Sequence, residues 1–175
     1  MTHEDHVRLL QDGIPAHGGG VWADLGSGGG AFTLALADLL GPAATIYSVD
    51  KDAGALREQE AAMRARFPGS IVHYIAADFT RPVEMPPLDG VVMANSLHYQ
   101  RHKEPVLRLV RGYLKPWGRF ILVEYNTDHG NPWVPHPLSY PTWERLSLRN
   151  GFATTQLLAT VPSRFLREIY SAVSV

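Results

Sequence analysis

Residues 24–30, with the sequence Asp-Leu-Gly-Ser-Gly-Gly-Gly, are the segment of this chain that points most directly to ligand chemistry. The segment follows a short apolar run and precedes an amphipathic helical pattern. Glycines let the backbone turn sharply and approach a ligand without an intervening side chain. Taken alone, the glycines also fit an ordinary tight turn between a strand and a helix. Acidic residues further along the chain favour the ligand-binding interpretation.

Two of these acidic positions follow the next two predicted strands. Asp50 lies 24 residues beyond Gly26, close to the spacing of about 20 at which an acid meets ribose hydroxyls in dinucleotide folds. Asp78 is followed by Phe79, so a carboxylate that can accept from an adenine amine stands beside a ring that can pack on the base. A helix N-cap for Asp50 and a turn acid for Asp78 are the alternatives. The joint placement of the two acids favours a nucleoside ligand.

The elements that must position these residues are visible as short apolar runs alternating with longer helical patterns, which is typical of βαβ units and a parallel sheet. The predicted strands are 21–25, 45–49, 71–76, 90–94 and 119–125. The predicted helices are 30–40, 53–67, 103–114 and 142–149. Each of the first three helices ends at a proline- or glycine-containing pair, the last of them Lys115-Pro116.

The carboxyl-terminal third completes the predicted sheet. Residues 126–141 form a loop rich in proline, histidine and aromatic residues, and the apolar stretches 152–161 and 165–173 predict an antiparallel hairpin that turns at residues 162–163. The sequence therefore predicts an α/β fold with a doubly wound, mostly parallel, seven-stranded, Rossmann-like sheet ending in a hairpin. We expect residues 1–175 to form one domain, since a chain of this length buries roughly 70% of its unfolded surface. A short helical segment lies within residues 1–17.

The motifs together resemble those of class I S-adenosylmethionine-dependent methyltransferases. The resemblance is carried by residues 24–30, by Asp50, by Asp78-Phe79, and by residues 89–99, Asp-Gly-Val-Val-Met-Ala-Asn-Ser-Leu-His-Tyr. It covers roughly residues 20–125. The turn before the fifth strand, Lys-Pro-Trp-Gly-Arg, is similar to the family's usual turn, with Trp117 in place of a glycine.

The resemblance implies S-adenosylmethionine as cofactor, S-adenosylhomocysteine as product and a defined set of binding residues. Asp24 would position the sulfonium or amino group of the methionine part, and the carbonyl of Asn95 would lie near that amino group. Asp50 would hold the ribose. An acid at position 24 agrees with a cationic ligand, since it would repel a pyrophosphate. The implied cofactor-binding residues are Asp24, Gly26, Ser27, Gly28, Asp50, Lys51, Ala77, Asp78, Phe79 and Asn95.

The acceptor side of the expected reaction lies after the fourth and fifth strands, at the carboxyl edge where open α/β sheets bind ligands. His98 is the first candidate for a base or an acceptor-orienting group, because histidine titrates near neutral pH. Packing against the cofactor is the alternative for His98. Tyr99 is the second catalytic candidate, followed by lower-ranked residues at the two strand ends. These are Glu124, Tyr125 and His129. Trp133 and Tyr140 in the loop could wall a small, partly apolar acceptor.

Other functions remain open at this point. Gly26-x-Gly28-x-x-Ala31 with Asp50 also fits an NAD(P)-dependent oxidoreductase, and a non-catalytic S-adenosylmethionine-binding subunit has the same motifs. No metal is expected, because tight ligand pairs are missing from the sequence. Enzymes that methylate amino groups of DNA resemble one another in an Asn/Asp-Pro-Pro-Tyr/Phe motif after the fourth strand. Residues 95–98 read Asn-Ser-Leu-His at that place, so a nucleic-acid substrate is not expected. With a net charge of -1, no cysteine and no long apolar run, we expect a cytoplasmic protein without membrane contact. A homodimer is compatible with the sequence.

Overall fold

The computed structural model describes residues 1–163 and 165–175. The helices are α1 (His3–Leu10), α2 (Ala31–Leu40), α3 (Ala53–Arg66), α4 (Glu104–Tyr113) and α5 (Tyr140–Arg149). The strands are β1 (Gly20–Leu25), β2 (Ala44–Asp50), β3 (Ile71–Ala76), β4 (Leu88–Ala94), β5 (Leu114–Tyr125), β6 (Thr155–Ser163) and β7 (Arg167–Ser174). Short 3₁₀ helices cover Gln11–Gly13 and Leu97–Tyr99.

The described strands form one seven-stranded sheet with the order β3-β2-β1-β4-β5-β7-β6. Strands β1 to β5 pair in parallel, whereas β7 runs antiparallel to both β5 and β6. The chain reverses its direction of winding between β1 and β4, and ligands bind outside the carboxyl ends of strands at such a switch point. The predicted fold class, including the terminal hairpin, is confirmed.

Helices cover both faces of the sheet. Trp22 and Ile46 face a core that includes residues of α1, α2 and α3, while Ala23 and Val91 face a second core that includes α4 and α5. Neighbouring residues of β1 enter different cores because successive strand side chains point to opposite faces. Burial on both faces explains why the central strands read as nearly continuous apolar runs.

The prediction for the start of the fifth strand was wrong. Strand β5 begins at Leu114 rather than at residue 119, so the Lys115-Pro116 pair lies inside the strand instead of after a helix. The register with β4 shifts between the Leu88–Leu114 and Gly90–Arg119 pairs, and residues 115–118 occupy the irregularity. A proline is tolerated at such a bulge, where its missing N–H interrupts no regular ladder.

The hairpin turn was also predicted at the wrong residues. Pro162 and Ser163 are paired within β6, opposite Glu168 and Arg167 of β7. Phe165 and Leu166, expected in the last strand, instead lie in the turn. Strand β6 is the edge of the sheet, and a proline N–H is dispensable on an edge strand. Proline therefore did not mark the end of the strand here.

Candidate functional site

A cavity of about 950 Å³ opens at the carboxyl edge of the sheet, at the switch point between β1 and β4. Nine of the ten predicted cofactor-binding residues line it, which are Gly26, Ser27, Gly28, Asp50, Lys51, Ala77, Asp78, Phe79 and Asn95. The exception is Asp24. Met1, which precedes α1, and His6, within α1, also line the cavity, so the helical segment lies beside the binding region.

The glycine loop takes a conformation that favours glycine, as Gly26 and Gly28 show. Gly26 and Gly28 have φ angles of 78° and 52°, in the left-handed region that other residues rarely adopt. The N–H groups of Gly26 and Ser27 both donate to the Val49 carbonyl oxygen, at 2.8 and 3.1 Å. A Cβ added at Gly28 would have no protein atom within 4 Å, because this residue faces the open space of the cavity that it lines. The loop backbone is therefore open to a ligand.

Asp50 connects the glycine loop to the end of β2. Its Oδ2 accepts from the Gly28 N–H at 2.8 Å, and its Oδ1 accepts from the Asp52 N–H at 2.9 Å. The helix N-cap interpretation of Asp50 is wrong, because Asp52 caps α3 by accepting from Gly54 and Ala55. Each Asp50 oxygen keeps lone-pair capacity for a further donor, such as a ribose hydroxyl.

Asp78 holds a local turn and still faces the cavity. Its Oδ1 accepts from the N–H and the hydroxyl of Thr80, at 2.9 and 2.8 Å. These hydrogen bonds lower the pKa of Asp78 below its ordinary value, because they favour the carboxylate. Asp78 is thus a turn acid, as the alternative interpretation has it. Only Oδ1 takes part in the turn, so Oδ2 is left for a ligand amine. Phe79 lines the cavity next to it.

Asn95 provides the observation that best tests whether an S-adenosylmethionine amino group fits here. Its φ angle is 51°, unusual for a residue other than glycine, and its buried Oδ1 has no hydrogen-bond partner among the described residues. Unpaired buried acceptors are costly, and strained backbone gathers at functional sites. The residue lines the cavity. An ammonium group placed there would supply the missing donor, so the residues fit the cofactor.

Asp24 lies beneath the loop rather than in the cavity wall. Its side chain is 1% exposed, and its Oδ2 accepts from the Thr33 hydroxyl at 2.6 Å. Its Oδ1 has no partner among the described residues. Burial, with a smaller contribution from the charge of Asp50, raises the pKa of Asp24 to about 7. A direct contact between Asp24 and the cofactor stays a prediction.

His98 and Glu124 form a buried pair at the ends of β4 and β5. The imidazole Nδ1 lies 2.8 Å from Glu124 Oε1, and the backbone N–H groups of His98 and Tyr125 also donate to this carboxylate. His98 is 2% exposed and Glu124 is fully buried. With Glu124 as a carboxylate, which only accepts, Nδ1 is the donor of this contact. In the neutral imidazole Nε2 is then an acceptor, and it has no partner among the described residues.

Tyr99 lies between the cavity and the His98 ring. Its side chain is 60% exposed and lines the cavity, and its ring centroid lies 4.3 Å from that of His98. His98 itself does not line the cavity. The structure thus places Tyr99 in the cavity wall and His98 behind Tyr99, and the catalytic roles of both residues stay predictions.

Comparison with known proteins identifies the family. The model of a family described as "Methyltransferase domain" matches residues 16–151. The chain belongs to this methyltransferase family. The predicted class, a class I S-adenosylmethionine-dependent methyltransferase, and the predicted cofactor are confirmed, and the oxidoreductase alternative is not supported.

Three similar proteins illustrate the range of the methyltransferase's relatives. A highly reducing polyketide synthase of Calcarisporium arbuscula is 30% identical over 96 residues, which is 43% of this chain and 4% of that protein. The chain therefore spans a small part of this curated relative. The fold is shared with 1,6-didemethyltoxoflavin-N1-methyltransferase of Burkholderia thailandensis, solved with bound 1,6-didemethyltoxoflavin and S-adenosylhomocysteine (20% identity, TM-score 0.75, covering 98% of this chain and 78% of that chain). The fold is also shared with a putative O-methyltransferase of Nostoc punctiforme (21% identity, TM-score 0.77, covering 97% of this chain and 55% of that chain).

The methyltransferase's loop residues are placed differently from one another. Trp133 is 70% exposed and packs against Phe165 at 6.1 Å between ring centroids, whereas the Tyr140 ring packs against Tyr170. Neither loop residue lines the cavity, and neither does His129. The interpretation of Trp133 and Tyr140 as walls of one acceptor pocket is therefore not met by this arrangement, although Trp133 remains open to solvent.

Sequence reasoning missed three buried polar residues that lie behind the glycine loop of the methyltransferase. Thr33, Ser48 and Gln59 are each 0% exposed and hydrogen-bonded to one another or to the loop. Their only signal in the sequence is a polar residue at an otherwise apolar, inward-facing position. Across residues 1–163 and 165–175, no group of three or more histidine or acidic residues is arranged to hold a metal, and no helix is long and apolar enough to span a bilayer.

Proposed function

We propose that this methyltransferase transfers the methyl group of S-adenosylmethionine to a small-molecule acceptor that binds beside Tyr99. One observation carries the proposal: the cavity lined by the predicted cofactor-binding residues lies next to the buried His98–Glu124 pair, whose Nε2 has no partner among the described residues. Cofactor residues and a basic nitrogen thus lie at one edge of the sheet.

The cofactor would be held by groups of three kinds. Asn95 Oδ1 would accept from the ammonium group, and the Asp50 carboxylate would accept from the ribose hydroxyls. Asp78 would accept from the adenine amine. Around them, the backbone of Gly26, Ser27 and Gly28 would pass beneath the methionine part, with Lys51, Ala77 and Phe79 around the adenine. When bound, S-adenosylmethionine supplies a methyl group already activated on a sulfonium, so alignment and exclusion of water are the main tasks of the protein.

His98 would act as the general base. An acceptor O–H, N–H or C–H must lose its proton as the methyl group arrives, and Nε2 is the nitrogen able to take it. Glu124 would keep Nδ1 protonated and stabilise the imidazolium that forms, as a carboxylate does for a histidine base. Because the Tyr99 ring packs on the imidazole, an acceptor would reach Nε2 by displacing that ring, which then contacts the acceptor.

The small-molecule class is supported by the relatives. The Burkholderia thailandensis enzyme is crystallised with 1,6-didemethyltoxoflavin and S-adenosylhomocysteine, and the Calcarisporium arbuscula protein is a polyketide synthase. We extend the class to this chain as a proposal, together with four finer predictions from the sequence. These are a single domain over residues 1–175, no nucleic-acid substrate, a cytoplasmic location and a homodimer.

The first test is calorimetric titration with S-adenosylhomocysteine and, separately, with NAD. Binding of S-adenosylhomocysteine alone supports the proposal, whereas binding of NAD alone refutes it. The second test is a panel of small acceptors with isotopically labelled methyl donor. Cofactor binding without transfer to any acceptor would instead favour a non-catalytic cofactor-binding subunit.

The base is tested with His98→Gln and Glu124→Gln once an acceptor is found. We expect His98→Gln to lower kcat by about 10²- to 10⁴-fold, the usual contribution of a general base, with unchanged affinity for S-adenosylhomocysteine. The exposed loop residue His129 supplies a matched control, His129→Gln, which should retain activity. Full activity of His98→Gln would exclude His98 as the base.

A further inference from the structure

A continuous chain of hydrogen bonds runs from Asp24 to the glycine loop. Thr33 Oγ1 lies 2.6 Å from Asp24 Oδ2, and Gln59 Nε2 lies 3.0 Å from Thr33 Oγ1. At the other end of the amide, Gln59 Oε1 lies 2.6 Å from Ser48 Oγ, which lies 2.7 Å from Ser27 Oγ. We call these five side chains the polar relay. The first four are at most 1% exposed, and Ser27 lines the cavity.

The relay crosses four structural elements and is packed against the loop it serves. It passes from β1 through α2 and α3 to β2, and it ends on the glycine loop. The Gln59 amide fills the space beside Gly30, where an added Cβ would overlap it. Buried polar groups in such networks are costly unless each finds a partner. Sequence separation hides the relay, since its members are spread over residues 24–59.

The chemistry of the groups sets the direction of every hydrogen bond in the relay. An ionised Asp24 only accepts, so the Thr33 hydroxyl donates to it and must accept from the Gln59 amide. The opposite end of that amide is a carbonyl, so the Ser48 hydroxyl donates to Gln59. A serine has one hydroxyl proton, so Ser48 must in turn accept from Ser27. The Ser27 proton is therefore directed into the protein, and only lone pairs remain for the cavity.

We propose that Asp24 acts on the cofactor through this relay, by making Ser27 a hydrogen-bond acceptor toward the ammonium or hydroxyl groups of the methionine and ribose parts. Gln59, Thr33 and Ser48 are positioning residues in this scheme. The inference rests on the proposed function, because it takes S-adenosylmethionine as the ligand. It assigns Asp24 an indirect role in place of the direct contact expected from the sequence.

The same geometry makes the relay sensitive to one proton. A proton on Asp24 Oδ2 is donated to Thr33, so the Thr33 hydroxyl is free to donate to Gln59. The Gln59 amide must then rotate, so that its oxygen accepts from Thr33 and its nitrogen donates to Ser48. Ser48 in turn donates to Ser27. Ser27 then offers a proton instead of lone pairs. A proton on Oδ1 would have no acceptor, since that atom has no partner among the described residues. A cationic ligand group therefore binds best when Asp24 is ionised.

The groups around Asp24 limit what else titrates in this range. Asp50, on β2, is the charged group that acts on it, while α2 contributes the neutral Thr33 and β4 contributes the apolar Val92 in register with it. His6, across the cavity on α1, has a pKa lowered by burial. With the pKa of Asp24 raised to about 7, affinity for a cationic ligand rises between pH 6 and 8.

The experiment is titration calorimetry of the full chain with S-adenosylhomocysteine at pH 6, 7 and 8. For the wild type we expect the Kd to be up to about tenfold higher at pH 6 than at pH 8, which is the proton-linkage limit for one group titrating at the middle of this interval. Repeating the series in a His6→Gln background removes the contribution of that histidine.

The deciding variant is Ser48→Ala, because it leaves Asp24 free to titrate but disconnects Ser27. The relay predicts that this variant loses the pH dependence. A through-space effect of the Asp24 charge predicts that the dependence survives. Gln59→Met cuts the relay at a second link and is measured alongside Ser48→Ala, and it decides alone if Ser48→Ala does not fold by circular dichroism. Ser147→Ala removes a buried hydroxyl on α5, far from the relay, and should retain the wild-type dependence.

Each outcome decides one proposal. Wild-type pH dependence that disappears in both relay variants but not in Ser147→Ala supports the relay. A wild-type Kd that is the same at all three pH values, or a dependence that survives in Ser48→Ala and Gln59→Met, overturns it. Absence of S-adenosylhomocysteine binding to the wild type at every pH overturns the proposed function instead.

Discussion

Replacing Asp24 with asparagine should change how the stability of the methyltransferase depends on pH. The folded protein raises the pKa of this carboxyl from its ordinary value of 3.8 to about 7. Between these two values the folded state keeps the proton while the unfolded chain releases it. The stabilisation is therefore fully present below pH 3.8 and is lost as the pH rises through 7. Asparagine does not titrate, so the variant lacks this loss.

The magnitude follows from the difference between the two pKa values. A difference of about three pKa units corresponds to roughly 4 kcal/mol, at 1.36 kcal/mol per unit. Of this, about 3 kcal/mol falls between pH 5 and pH 8. Asp24 is 1% exposed, so solvent screening reduces the figure little. The unpaired amide protons of the asparagine cost about 1–3 kcal/mol at every pH. This cost lowers the variant's free energy of unfolding by the same amount at each pH, so its dependence on pH is unchanged.

The assay is urea unfolding of wild type and Asp24→Asn at pH 5, 6.5 and 8, without ligand. We expect the free energy of unfolding of the wild type to fall by about 3 kcal/mol relative to that of the variant between pH 5 and pH 8. The m-values of the two proteins should be equal. Asp12→Asn, which removes an exposed carboxylate in the 3₁₀ turn, is the control and should follow the wild type. Parallel curves for wild type and Asp24→Asn would refute the assignment of a neutral-range titration to Asp24.

Three further variants test the site and the core. Asp50→Ala should weaken S-adenosylhomocysteine binding by roughly 1–3 kcal/mol in calorimetry, through loss of a charged hydrogen bond; unchanged affinity in a folded variant would remove Asp50 from the site. Gly28→Val places a side chain at the cavity surface and at φ 52°, so ligand affinity should fall at least about tenfold in the same assay, equivalent to 1.4 kcal/mol. Gly90→Ala overlaps the Trp22 ring and should lower urea stability by about 1–3 kcal/mol; wild-type stability would contradict that packing.

Much of the fold and of the cofactor site could be predicted because the information is local. Apolar runs of strand length alternating with helical patterns specify a parallel sheet, and the carboxyl ends of parallel strands meet at one edge. Asp50 ends a strand, and Asp78 and Asn95 follow strands, so their convergence on one cavity could be expected from the parallel sheet. The glycines followed in the same way, since a left-handed turn favours them wherever it occurs.

Other features depended on partners distant in the chain. Pro116 was interpreted as a helix breaker, but the bulge opposite β4 lets it lie within β5. Pro162 was interpreted as a turn residue, but the edge position of β6 makes its missing N–H harmless. In each case a local propensity lost to the pairing of strands, which a single segment does not encode.

The sequence by itself determined the α/β class, the carboxyl-edge position of the cofactor residues and the family, because each depends on periodicity or on a motif within about ten residues. Only the tertiary structure decided which polar side chains are paired. His98 meets Glu124 across 26 positions and Asp24 reaches Ser27 through Gln59, because neighbouring strands and a helix bring them within hydrogen-bonding distance. Burial then gives these contacts their chemistry, since a carboxylate or imidazole removed from water is governed by the few groups that touch it.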